Sequence, residues 1–189
     1  MFCFVVSTLW GEVSGVKARH PYSKWAAKSI EVYLRENRRA DPVSDTAPQD
    51  LFNRSSGCFV SLHKLNGELR GCIGTYMATK SNLALEIRDN AIASATQDPR
   101  FPPLTLSELG NIVVSVDILN EPELTEDIST LNPKVYGVIV ISGWKRGLLL
   151  PDLPGVESVE DQLSIACMKA GINRDESFQI YRFTVERYH

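Results

Sequence analysis

Residues 59–75 read FVSLHKLNGELRGCIGT, and no other stretch constrains the fold as strongly. Two runs of alternating character flank Asn66-Gly67, the dipeptide best suited to the positive φ angles of a type I′ turn. A two-residue turn there pairs Leu65 with Glu68, Lys64 with Leu69, His63 with Arg70, Leu62 with Gly71, and Ser61 with Cys72. Successive strand side chains point to opposite faces. One face then carries Val60, Leu62, Leu69 and Ile73; the other carries Ser61, His63, Arg70 and Cys72. A three-residue loop shifts the pairing by one and mixes the two faces, so the pattern predicts the two-residue register. The first face covers a core. The second gathers a hydroxyl, an imidazole, a guanidinium and a thiol, which makes it a candidate site.

The rest of the chain supplies helices around hairpins. Pro21 to Asn37 predicts a helix with Trp25, Ala26, Ile30, Tyr33 and Leu34 as its buried stripe. Thr79 to Gln97 predicts a second, with Ser81 as its N-cap and Asp98-Pro99 as its stop. Thr105 to Leu109 reads as one short helical turn, and Val156 to Ala170 as a further helix with Gly171 at its C-cap. Asn111 to Asn120 is apolar on both faces, which predicts a central strand. A second hairpin joins Tyr136–Ser142 to Arg146–Leu150, and Phe178 to Tyr188 alternates as a closing strand. Arg38–Asp50 and the acidic stretch Glu121–Pro133 read as loops. Strands that come as hairpins with helices between them predict an α+β fold with a largely antiparallel sheet.

Composition narrows the functional classes. The chain has 189 residues and a net charge of −3, without the basic excess of a nucleic-acid phosphate binder. Its four cysteines, Cys3, Cys58, Cys72 and Cys167, form no CxxC pair and no zinc-spaced Cys/His cluster, so no metal site is expected. A reduced, cytoplasmic setting is the simplest expectation. No stretch reaches the roughly 20 apolar residues of a membrane span. Met1–Trp10 is apolar but lacks the basic start and small-residue cleavage site of a leader, and Gly11–His20 reads as a linker. No P-loop, GxGxxG or GxSxG motif is present, and no cofactor is implied.

Leu69-Arg70-Gly71-Cys72-Ile73-Gly74 (LRGCIG) resembles the signature hexapeptide of the AMMECR family. Asp98-Pro99-Arg100-Phe101, Val113–Leu119 (VVSVDIL) and Gly147–Pro151 (GLLLP) extend the resemblance across about residues 21–188. The resemblance implies an AMMECR-type domain over residues 21–189 behind an N-terminal extension or linker over 1–20. It also implies two α+β subdomains, one larger than the other. As partners it implies MEMO-type and radical-SAM proteins, which the family accompanies. It brings no settled activity.

Each candidate residue has a structural and a chemical reading. Cys72 is a nucleophile or redox thiol with His63 diagonally across the hairpin as base, a ligand-contacting residue, or a small buried cysteine under a helix. Gly71 and Gly74 mark a bend, a close backbone approach or a ligand. Arg70 clamps an anion or pairs with Asp98 or Glu86. Asp98 and Arg100 lock a turn by a salt bridge, or Asp98 is a catalytic carboxylate. Leu69, Ile73 and Ser61 complete the candidate set. Two functions follow. One is a protein-interaction or ligand-binding module acting with those partners. The other is an enzyme or enzyme subunit working through Cys72.

Overall fold

The structure is a computed structural model that describes residues 16–173 and 175–189. The readings made for residues 1–15 lie outside the described residues. The first helix, α1, spans Pro21–Glu36. His20 caps it: its imidazole accepts the Tyr22 amide N–H, satisfying one of the donors a helix start leaves unpaired. Asn37 ends it in the left-handed region at φ 51°. His20 is therefore a capping residue packed against Tyr22 and Tyr188, not part of a free linker.

Strands β1 (Cys58–Lys64) and β2 (Leu69–Gly74) form the expected hairpin, and helix α2 (Leu83–Thr96) follows. Asn82 rather than Ser81 caps α2, accepting the Leu85 N–H. A single turn, α3 (Leu106–Leu109), carries a capping box between Thr105 and Glu108. Then come β3 (Ile112–Leu119), the short β4 (Glu123–Thr125), and a second hairpin of β5 (Gly137–Ser142) and β6 (Lys145–Leu149). Helix α4 (Val159–Ala170) is capped by Ser158 and Gly171. Strands β7 (Gln179–Phe183) and β8 (Val185–Tyr188) close the chain.

The strands form two four-stranded sheets of order β2-β1-β3-β8 and β4-β7-β5-β6, with every strand pairing antiparallel. The fold is α+β, as the hairpin pattern predicts. The predicted closing strand divides at Thr184: β7 belongs to one sheet and β8 to the other. A period-2 pattern runs through such a crossing unbroken, because both halves still alternate. Segment 121–133 is not wholly loop, since Glu123–Thr125 adds an edge strand on β7. The 38–50 segment is tied down locally, with Asp41 accepting the N–H groups of Val43 and Ser44 and Arg38 pairing with Asp45 at 2.8 Å.

Helices α1 and α2 cover one face of the first sheet, where Trp25, Ile30, Leu62, Ile87, Val114 and Val116 are buried together. Helix α4 covers the second sheet, burying Val138, Val140, Leu163 and Ala166. The two sheets meet through Phe59, Leu119, Ile139, Leu148 and Phe183. That contact uses only one end of the first sheet's outer face and leaves the polar remainder around Ser61 and Cys72 for other work.

Candidate functional site

The hairpin tip differs from its expected form, and the difference decides where Arg70 goes. Lys64 N–H donates to Glu68 O at 2.8 Å and Gly67 N–H to Lys64 O at 2.9 Å, so the tip holds three residues with Gly67 at φ +89°. Pairing is thereby shifted, and His63 faces Leu69. A bulge then restores the expected register at Leu62–Gly71 and Ser61–Cys72. Arg70 is the extra residue in that bulge. Bulges re-aim side chains, and this one removes Arg70 from the His63 row. Its guanidinium is buried against Glu108 at 2.9 Å and lies 6.0 Å from the Phe101 ring centroid. Neither Asp98 nor Glu86 is its partner. Arg70 ties β2 to α3 through Nε and Nη2.

The glycines answer to packing. A Cβ on Gly71 would stand 2.2 Å from the Ser94 carbonyl oxygen of α2, and one on Gly74 2.3 Å from the Phe59 ring. Close approach at Gly71 lets the Ser94 hydroxyl enter the β1–β2 ladder. It accepts the Ile73 N–H at 2.8 Å and donates to Val60 O at 2.7 Å.

Asp98 and Arg100 close the exposed edge of β2. Asp98 Oδ2 accepts the Cys72 N–H at 2.8 Å, and Arg100 donates to the Cys72 carbonyl at 3.3 Å. The two side chains also pair with each other, at 2.9 and 2.7 Å. The salt bridge expected from the sequence is present, and it occupies the place of a missing neighbouring strand. Arg100, together with burial-opposing backbone hydrogen bonds, holds the Asp98 carboxyl down to about 2. A catalytic acid or base near neutral pH needs the opposite shift.

Cys72 lies partly buried on the outer face, paired with Ser61, whose hydroxyl donates to its sulfur at 3.2 Å. Burial pushes the thiol pKa up, against smaller opposing effects of Ser61, Arg100 and Lys169. The resting group is therefore a thiol at neutral pH. His63 sits between Leu69 of β2 and Val113 of β3; burial lowers its pKa, with smaller effects from Arg187, His189 and Asp117. The diagonal Cys72–His63 pair is not assembled as a hydrogen-bonded unit.

Sequence reasoning missed three residues here. Asp117 of β3 is only 2% exposed and accepts Arg187 of β8 at 2.6 Å; Arg187 also donates to the Pro151 carbonyl. Lys169 of α4 donates to the Leu148 carbonyl on edge strand β6 at 2.8 Å. The residue is exposed overall, yet enough protein surrounds its ammonium to lower its pKa, and it acts electrostatically on Cys72 and Arg100. Alternation along Val113–Leu119 places Ser115 and Asp117 on one face and so offers a weak signal for Asp117. Nothing local marks Arg187 or Lys169.

The arrangement leaves one cation without a carboxylate among the described residues. Arg100 is matched by Asp98 and Arg187 by Asp117, while Lys169 has no carboxylate partner among the described residues. No group of three or more potential metal ligands occurs among the described residues. No described helix is long and apolar enough to cross a membrane.

Comparison with known proteins finds a match over most of the chain. The AMMECR1 family model matches residues 23–188. A protein of Thermotoga maritima is 62% identical over 170 residues, covering 89% of this chain and 97% of that protein. A protein of Clostridium acetobutylicum is 44% identical, covering 90% of this chain but 36% of its own length. The crystal structure of the uncharacterized protein PH0010 from Pyrococcus horikoshii superposes with a TM-score of 0.79 at 35% identity, covering 88% of each chain.

Proposed function

The chain belongs to the AMMECR1 family, and from that premise we propose that it is a binding module whose face around Cys72 receives an acidic group. That group is a carboxylate or phosphate on a small molecule or on a partner's side chain. The observation that carries this reading is Lys169, whose ammonium acts on Cys72 and has only a backbone carbonyl as its partner among the described residues. The local carboxylates are already committed, so an incoming anion meets a net positive site. The Clostridium relative is a longer chain of which this one spans 36%, so the matched region also occurs joined to other sequence. MEMO-type and radical-SAM proteins are the partners we propose for the module. The alternative of a cysteine enzyme has less support, because burial raises the thiol pKa and Cys72 takes its side-chain hydrogen bond from Ser61, with none to His63.

The test is site-resolved alkylation of Cys72 with iodoacetamide, read by mass spectrometry at constant ionic strength. Labelling is expected to be slow at pH 7 and slower still when citrate or phosphate replaces chloride, with that protection lost in Lys169→Gln. Rapid labelling at pH 7 that no anion slows would overturn the reading in favour of an activated nucleophile.

A further inference from the structure

A cavity of about 850 Å3 opens between the start of α1 and residues 42–52. It shares no lining residue with the Cys72 face, and its volume lies in the range of small-molecule sites, roughly 300–1,000 Å3. Its walls are mostly apolar and aromatic, including Tyr22, Phe52, Pro42, Pro48 and Val43, the last 76% exposed. Asp50 is the one carboxylate in the lining, and neither Lys nor Arg lines it. The Tyr22 hydroxyl donates to Asp50 Oδ2, while Oδ1 has no hydrogen bond among the described residues. Arg54, the cation that interacts with the Tyr22 phenol, is already paired with Glu186 at 2.9 Å. The His20 imidazole is committed through Nδ1 to the Tyr22 N–H. The wall over residues 41–46 is held by the Asp41 turn and the Arg38–Asp45 pair, so the cavity does not depend on a ligand to shape it.

We propose that this cavity binds a small organic ammonium ion. Its charged nitrogen donates to the free Oδ1 of Asp50, and its apolar portion lies against Tyr22, Phe52 and the two prolines. An aromatic face attracts a cation through its quadrupole, and a carboxylate with an open oxygen adds a charge-assisted hydrogen bond. An anion of the same shape meets an uncompensated carboxylate, and a neutral isostere gains only the apolar contact. The charge preference is opposite to that of the Cys72 face, so the two sites discriminate between ligands of opposite sign.

Benzylamine, benzyl alcohol and benzoate, nearly identical in shape, are the probes, titrated into the full chain and followed by amide chemical shifts. Benzylamine is expected to bind in the millimolar range of a fragment, shifting resonances of residues 20–22 and 42–52. Benzyl alcohol and benzoate are expected to bind about tenfold more weakly. Asp50→Asn removes that preference. Tyr22→Phe, which keeps the ring and frees Oδ2, retains it. Equal binding of the three probes, tighter binding of benzoate, undiminished benzylamine binding by Asp50→Asn, or no binding of benzylamine at millimolar concentration overturns the proposal. If Asp50→Asn fails to fold, the comparison of the three probes on the natural chain decides the matter alone.

Discussion

Asp98 accepts the backbone N–H of Cys72 at 2.8 Å, so a side chain just beyond α2 fills a hydrogen-bonding position that a fifth strand would otherwise take. The Arg100 guanidinium beside it holds the Asp98 carboxyl at about 2, below its ordinary 3.8. Because the folded-state pKa is the lower one, the contribution is full above the unfolded value and fades as pH falls from about 4 toward 2. Asp98→Asn is expected to lower unfolding free energy at pH 7 by roughly 2 kcal/mol, and the natural and variant curves to converge near pH 2. Urea melts at a series of pH values measure this. A difference that stays constant across that range contradicts the account. Glu108, drawn down to about 2 by Arg70, adds acid sensitivity of the same sign.

Two glycines of the hairpin should fail for different reasons. Gly71→Ala drives a Cβ to within 2.2 Å of backbone at Ser94, which neither strand nor helix can relieve by a rotamer change. A loss of about 1–3 kcal/mol is expected from overpacking, together with loosened protection of the Ile73 amide in hydrogen exchange. Gly67→Ala meets nothing within 4 Å but must hold φ +89°, so a loss of roughly 1 kcal/mol is expected without local loosening. Chemical denaturation joined to exchange separates the two.

Arg187 and Asp117 join β8 to β3 at 2.6 Å in a place where Asp117 is 2% exposed. Arg187→Leu strands a buried carboxylate and is expected to cost about 3–5 kcal/mol. Adding Asp117→Asn should recover part of that loss, because the stranded charge is gone. A double-mutant cycle with additive effects would exclude direct coupling.

The Ser61 hydroxyl donates to the Cys72 sulfur and favours its ionised form. Ser61→Ala should therefore move the alkylation midpoint of Cys72 further upward in pH while leaving the melting temperature nearly unchanged. A downward movement would contradict the role given to the Ser61 hydroxyl.

The amino-acid sequence by itself determined the elements that local rules govern. Asn66-Gly67, the apolar alternation on either side, Ser158, Gly171 and Asp98-Pro99 each carry a local steric or hydrogen-bonding preference, and together they gave an antiparallel α+β chain with Ser61 opposite Cys72. The Asp98–Arg100 bridge was legible for the same reason, since its members lie two residues apart. Tertiary structure decided the rest. The Arg70 bulge answers to Glu108, 38 residues away, and the break at Thr184 answers to two sheets that must share one chain. Lys169 reaches the Cys72 face only because α4 packs closely on β6, where a Cβ on Gly147 would stand 2.0 Å from the Ala166 carbonyl oxygen. Such pairings join residues far apart in sequence. Periodicity and turn chemistry act over a few residues and carry no information about which distant side chain completes a charge or covers an edge.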